Sequence, residues 1–458
     1  MERSGITDGR AEVRTGAEGE RRTLRPTLTM FQVVFLGLAW MTPMIYFSVY
    51  GVAYEASRGH LTETYLMAMI AILFTARSYG VMAARFPQSG SAYTFAKQTL
   101  HPYLGFLVGW ALMLDYLFSP IIAYLTFGIY IHAWFPVVPA EVWMVALNAV
   151  LTVINLLGVR LSAQISRLFV LVQIGFIALF SGCLAYRLAE GAPFSTEMFF
   201  NAGPSVLLAG TAIICFSFLG FDTATTLSEE TLEPRKNIPR AVMWIVLIAG
   251  VVYAVPSVLT QGLFPVQAFE ELDSAGLEVV RRVGGAALAS VFMAVLLMAI
   301  FTQGLTSVTS LSRLMFVMGR ESVLPERVFG YLHPRWRTPA ANVLVTAVVS
   351  LLALAISLDD AVRFVSFGAL TAFLMVNVCV VAHCFFRASD RSFATFVRYL
   401  LVPVVGGAYV AWLLVSMDHT TLAFGSIWLT LGVVYSMIRS VWRNRHDARR
   451  IRAEAAGL

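Results

Sequence analysis

Long apolar runs separated by short polar connections fill the chain from Phe31 to Trp442. A run of about twenty apolar residues is the length an α-helix needs to cross the hydrocarbon layer of a bilayer. Twelve such spans are predicted, near residues 31–56, 63–84, 102–132, 141–159, 165–187, 205–227, 241–263, 284–311, 340–357, 361–385, 397–416 and 420–441. The longest connection outside them is 312–339, and no stretch has the polarity of a soluble domain. The pattern divides the chain into a disordered cytoplasmic tail (1–28), a ten-span core (29–387), two further spans (388–442) and a basic tail (443–458). Residues 1–28 have no apolar stretch of signal-peptide type, so the first span is the expected insertion signal.

Two spans are interrupted. The first carries Thr42-Pro43-Met44 in mid-helix, and the sixth carries Phe216-Ser217-Phe218-Leu219-Gly220-Phe221-Asp222. A proline removes a backbone donor and clashes with the preceding turn, and a glycine loosens the helix. Either break alone is equally well a simple kink, because both residues are common in membrane helices. Their separation by five spans points instead to an inverted repeat, spans 1–5 against 6–10, with the weakened helices meeting near the bilayer midplane. The expected fold is an all-α polytopic membrane protein with twelve transmembrane helices: a 5+5 inverted repeat with broken helices 1 and 6, and two peripheral helices.

Composition agrees with the pattern: 58% of residues are hydrophobic and 13% charged, with a mean hydropathy of +0.74. A soluble chain carries about a quarter charged residues. The net charge of +6 would suit a nucleic-acid binder, but its placement excludes that. With both termini on one side, all of the 33 Lys and Arg except Arg58, Arg187, Arg281, Arg282 and Arg363 fall on that side. By the positive-inside rule it is the cytoplasmic face. The connection from Gln267 to Gly284 then faces outward; it is acidic at first and is expected to carry a short helix. Cys183, Cys215, Cys379 and Cys384 lie in or beside spans without paired spacing, and the seven histidines are scattered. No disulfide frame, metal site, cofactor motif or catalytic cluster is indicated.

The segment Phe86-Pro87-Gln88-Ser89-Gly90-Ser91-Ala92-Tyr93, the stretch from Phe216 through Glu229-Glu230 to Arg240, and Ser312-Arg313 through Arg337-Thr338-Pro339 resemble the amino acid–polyamine–organocation permeases. The match extends from about residue 28 to residue 440. Within that superfamily Leu36-Gly37-Leu38-Ala39, Leu114-Asp115-Tyr116-Leu117-Phe118 and Pro325-Glu326-Arg327-Val328-Phe329 are most similar to bacterial proton-driven putrescine importers. The resemblance implies a secondary transporter in the bacterial inner membrane. It further implies an acid at Asp222 tied to proton coupling, a substrate-recognising tyrosine at Tyr116 and an aromatic lid at Phe216.

From the residues themselves, Asp222 is a carboxylate inside a span, which costs about 2.5–3.5 kcal/mol at a helix centre and so faces a cavity or a partner. It could hold an ammonium, take a proton, or bond to Thr225, Thr226 or a neighbouring helix as a structural acid. Asp115 and Tyr116 are either pocket residues or a pair cross-linking helices. Phe216 and Phe218 could cover an organic cation, and opened backbone at Thr42, Pro43, Met44 and Gly220 could bind substrate ends. Glu229 and Glu230 are either an interfacial pair balancing the nearby Arg235, Lys236 and Arg240, or an inner gate or proton exit. Glu230 is expected to be the former, and for Glu229 both readings stay open. Arg313, Arg320 and Arg327 read as a cytoplasmic anchor, and Arg77 as a side chain snorkelling to the interface. Two positions depart from the family pattern. Ser48 stands where an acid is common, and Gln173 where many relatives carry a sodium-replacing lysine. A neutral amide cannot replace that charge, so proton coupling is expected to rest on Asp222, Asp115 or Glu229. The expected function is import of a small organic amine, putrescine or another polyamine first, by proton symport. An amino acid permease or exchanger, a non-transporting sensor and a membrane enzyme are the alternatives.

Overall fold

The computed structural model describes residues 24–455, apart from 266–267, 270, 389 and 391. Those residues are helical, with no strand among them beyond one isolated bridge. Eleven helices are long and apolar enough to cross a membrane. They are α1 (Met30–Ser48), α2 (Leu61–Arg85), α3 (Pro102–Trp134), α4 (Ala140–Leu157), α5 (Val159–Ala189), α6 (Pro204–Glu230), α7 (Pro234–Leu263), α8 (Ala275–Arg320), α10 (Leu358–Phe385), α11 (Phe393–Val415) and α12, whose apolar part is His419–Arg439. The ninth span is a shorter apolar helix, α9 (Ala340–Leu354), tightening to 3₁₀ geometry over Ser350–Leu354.

Local sequence sets the helix starts. At α1 Thr29 and Gln32 form a reciprocal capping box, and Ser357 caps α10 through the Asp360 amide. Pro102, Pro204 and Pro234 occupy first turns, where a missing donor costs nothing. The expected break in α1 is present at Thr42, whose φ of 56° ends the first half-helix. In α6 the α-helix stops at Cys215, and Gly220 takes φ 105°.

The second half of α6, Phe221–Glu230, is a ten-residue 3₁₀ helix, much longer than usual. Its composition explains this. Thr223, Thr225, Thr226 and Ser228 each donate a side-chain hydroxyl to the carbonyl three residues back, at 2.6–2.7 Å. Such bonds compete with the regular α-helical ladder.

Burial separates core from periphery. Of each helix's most apolar window, 72% is buried in α1 and α3 and 67% in α10, against 28% in α11 and 17% in α12. Helices α3 and α10 meet closely because Gly368 has no side chain: a Cβ there would lie 2.6 Å from the Ala111 carbonyl oxygen.

Two boundaries differ from expectation. Helix α8 begins at Ala275, and its first turns are the short helix expected in the preceding connection, set off by a break at Gly284–Gly285. Helix α12 runs on to Ala455, so most of the tail expected over 443–458 continues it. The expected tail lies outside the described residues up to 23; its last residues, from Leu24, run as a strap beside the end of α6.

Candidate substrate site and inner latch

The two helix breaks meet. Gly220 packs on Trp40 so tightly that a Cβ would lie 1.9 Å from the indole Cδ1. Trp40 tilts against Tyr116, ring centres 5.0 Å apart. The Tyr116 hydroxyl donates to Asp222 Oδ2 at 2.7 Å. Of the expected residues, Gly220, Asp222 and Tyr116 therefore come together, joined by Trp40. The neighbouring Tyr79 ring packs against Phe221 and Phe373.

Asp115 and Asp222 are both fully buried. Each carboxylate has one engaged oxygen: Asp115 Oδ1 accepts from Ser119 at 3.2 Å, and Asp222 Oδ2 from Tyr116. Asp115 Oδ2 and Asp222 Oδ1 have no hydrogen-bond partner. Neither carboxylate forms an ion pair among the described residues. Buried acceptors left open in this way are costly, and a proton or an ammonium satisfies them. The Thr225 and Thr226 hydroxyls go to backbone carbonyls and Ser91, so the bond that holds the Asp222 carboxylate comes from a neighbouring helix, through Tyr116 of α3.

Other expected residues take different places. The Thr42 hydroxyl is 3.1 Å from the Trp40 carbonyl, so it caps its own half-helix. Pro43 and Met44 are buried in the break itself. Phe218 is fully buried, edge-on to Tyr253. Phe216 is 38% exposed and lines a cavity of about 350 Å³ with residues of α10, α11 and the 11–12 turn, instead of covering Asp222. Ser48 is exposed beyond the α1 break; the second buried carboxylate comes from α3, as Asp115. Gln173 is buried between α5 and α8, its amide donating to Thr302 at 3.3 Å.

At the end of the bundle carrying the strap, charges interlock. Glu230, expected at the interface, is 4% exposed, and its carboxylate accepts from Arg313 Nε at 2.9 Å and Nη2 at 3.1 Å. Arg313 is fully buried and so no surface anchor. Glu229 accepts two bonds from Arg320 at 2.6 and 2.8 Å, and its amide donates to Ser89. This ion pair ties Glu229 to the last residue of α8. Glu321 accepts from Lys97 at 2.7 Å and from the Tyr93 phenol. Burial first, then Glu321, pushes the Tyr93 pKa above its ordinary value, so the phenol remains a donor. The strap completes the latch: the Thr27 and Leu28 amides donate to the Glu230 carbonyl at 2.7 and 2.8 Å. Arg77 is exposed on α2, as a snorkelling side chain would be.

Sequence reasoning did not find the Glu230–Arg313 pair, although both lie in quoted motifs, because 83 positions separate them. Trp40 carried one signal, its place just before the proline break.

A polytopic bundle whose two broken helices bring a carboxylate and an indole to one buried point, against a tyrosine from α3, has the architecture of a secondary transporter. The chain belongs to the amino acid permease family, whose model matches residues 31–387. It is 37% identical over 423 residues to the low-affinity putrescine importer PlaP of Escherichia coli strain K12, covering 91% of this chain and 94% of that one. It is 26% identical to the methylthioribose transporter and 24% identical to the branched-chain amino acid permease BcaP of Bacillus subtilis, each over 93% of this chain and 95% of theirs. The protein is a multi-pass membrane transporter of the amino acid–polyamine–organocation superfamily, with the 5+5 inverted-repeat fold and two peripheral helices, and not an enzyme.

Proposed function

We propose that the protein imports putrescine or a related polyamine by alternating access, driven by proton symport across the bacterial inner membrane. The observation that carries this reading is the pair of fully buried carboxylates, Asp115 and Asp222, each with an open oxygen and no ion pair among the described residues. Such a pair suits a cationic amine or protons better than it suits a carboxylate-bearing substrate. The likeness to a putrescine importer supports the same substrate class.

In this reading Asp222, held by Tyr116, binds one ammonium, and the Trp40 and Tyr116 rings pack on the alkyl chain and hold it by cation–π attraction. Asp115, one turn from Ser119 on α3, takes the coupled proton. The broken backbone at Thr42–Met44 and Phe218–Gly220 lets the half-helices move as the site changes access. Both termini lie in the cytoplasm, residues 29–387 form the transport core and 388–442 the peripheral pair. The ion-pair latch is then the cytoplasmic gate, closed in this structure. Sites of this kind do not need a cofactor.

Competition against radiolabelled putrescine uptake in proteoliposomes tests the substrate. Putrescine and spermidine should compete, and leucine, lysine and arginine should not. Dominant competition by an amino acid would replace the proposal with an amino acid permease. Uptake that requires counter-substrate inside would make it an exchanger, and ligand binding without flux a sensor.

A further inference from the structure

The latch end holds a second cavity unconnected with amine binding. It has a volume of about 230 Å³, and Arg25, Arg160, Arg335 and Arg337 line it together with Glu230 and Trp336. These arginines come from three distant parts of the chain: the strap before α1, the first turn of α5, and the connection between α8 and α9. Glu230 is the one acid among the lining residues, and both its oxygens already accept from Arg313. Arg25, Arg160 and Arg335 make no ion pair with any described residue. Three like charges converge here, none of them in an ion pair with a described residue.

The backbone adds to the same field. Gly158, with φ 118°, turns the chain sharply between α4 and α5, and both Gly158 and Val159 line the cavity. The first turn of the 31-residue α5 therefore opens onto it, carrying no acid but a basic residue, Arg160. A helix N-terminus attracts an anion through its unpaired amides and its dipole, and a basic residue there strengthens the attraction. The 8–9 connection is shaped to present its arginines. His333 donates its amide to the Thr338 carbonyl and accepts from the Arg337 amide, both at 2.9 Å. Trp336 stacks on the His333 ring at 4.5 Å and is 42% exposed. Thr338 ties the loop to the end of α4 through the Leu156 carbonyl.

We propose that this cavity is a binding site for a phosphate group. Guanidinium forks match phosphate oxygens in pairs, and basic pockets between membrane helices at the inner face suit anionic headgroups. An exposed tryptophan beside the pocket is typical of the headgroup level. A phosphate in the cavity bridges the strap, α5 and the 8–9 connection. The strap also bonds to the Glu230 carbonyl and Glu230 to Arg313, so occupancy steadies the closed latch. The source is either an anionic phospholipid or free phosphate.

The test uses the full chain in nanodiscs and reads the thermal unfolding midpoint. Three forms are compared: wild type, the triple variant Arg25→Gln, Arg160→Gln, Arg335→Gln, and a charge-matched control, Arg235→Gln, Arg327→Gln, Arg398→Gln. Phosphatidylglycerol in place of phosphatidylcholine should raise the midpoint of wild type and control, and the triple variant should lose most of that shift. If instead inorganic phosphate added to phosphatidylcholine nanodiscs gives the shift, and the triple variant again loses it, the site stands with a soluble ligand. Equal shifts in the triple variant and wild type would overturn the proposal. So would an equal loss in the control, or no shift with either probe.

Discussion

Replacing Arg313 by Met tests whether the latch is held by a buried charge pair. The Glu230 carboxylate is 4% exposed and Arg313 fully buried, with two bonds between them at 2.9 and 3.1 Å. Removing one partner of such a pair leaves an uncompensated buried charge and costs about 3–5 kcal/mol. Replacing both partners by apolar residues of similar volume is often neutral or stabilising. Arg313→Met and Glu230→Met should therefore each lower the free energy of unfolding in an SDS titration by about 3–5 kcal/mol. The double variant should recover most of that loss, a coupling at or above the upper end of the usual ~0.5–3 kcal/mol. Its gate would be folded yet free of this charge pair, so it should open to the cytoplasm more readily, seen as faster labelling of a cysteine placed at Ser89. Single-variant costs below about 1 kcal/mol that simply add would match a solvated surface pair, and the buried-latch argument would then be wrong.

Three further outcomes follow from the geometry. Tyr116→Phe removes a hydrogen bond to a charged acceptor, worth about 1.5–3 kcal/mol, so the putrescine KM should rise roughly tenfold to a hundredfold; an unchanged KM would remove Tyr116 from recognition. Gly220→Ala places a Cβ 1.9 Å from the Trp40 indole at a φ of 105°, a backbone cost of about 1–3 kcal/mol before the ring moves. Transport should fall at least tenfold, and less so in a Trp40→Leu background; equal losses in both backgrounds would refute the close packing. In the 11–12 turn a hydrogen bond from Thr421, then the nearby Arg363, holds the Asp418 pKa down at about 2. A depressed acid contributes stability above its unfolded pKa of about 3.9 and loses it as pH falls through 2. The destabilisation by Asp418→Asn should therefore be flat from about pH 5 to 8 and shrink only in stronger acid; a change near neutrality would contradict it.

The fold was largely legible because its determinants are local. Span length, the proline at 43 and the glycine at 220 act within a few residues of themselves. Asp222 was legible because an acid in lipid needs a reason. What escaped the sequence depends on tertiary distance: the Trp40–Gly220 contact, the Tyr116–Asp222 bond and the Glu230–Arg313 pair join different helices. Phe216 shows the opposite error. Its place beside the break suggested a lid, but the turn of the helix points it towards α10 and α11.

The central claim is that the buried pair Asp222 and Asp115 links amine binding to the proton gradient, with Asp222 holding the ammonium. The most direct measurement is initial uptake of radiolabelled putrescine into proteoliposomes, acid outside, by wild type and by Asp222→Asn of equal reconstituted amount. Wild type should accumulate putrescine and lose that accumulation when a protonophore collapses the gradient, and Asp222→Asn should show no gradient-driven uptake. Accumulation by Asp222→Asn at the wild-type rate would contradict the account.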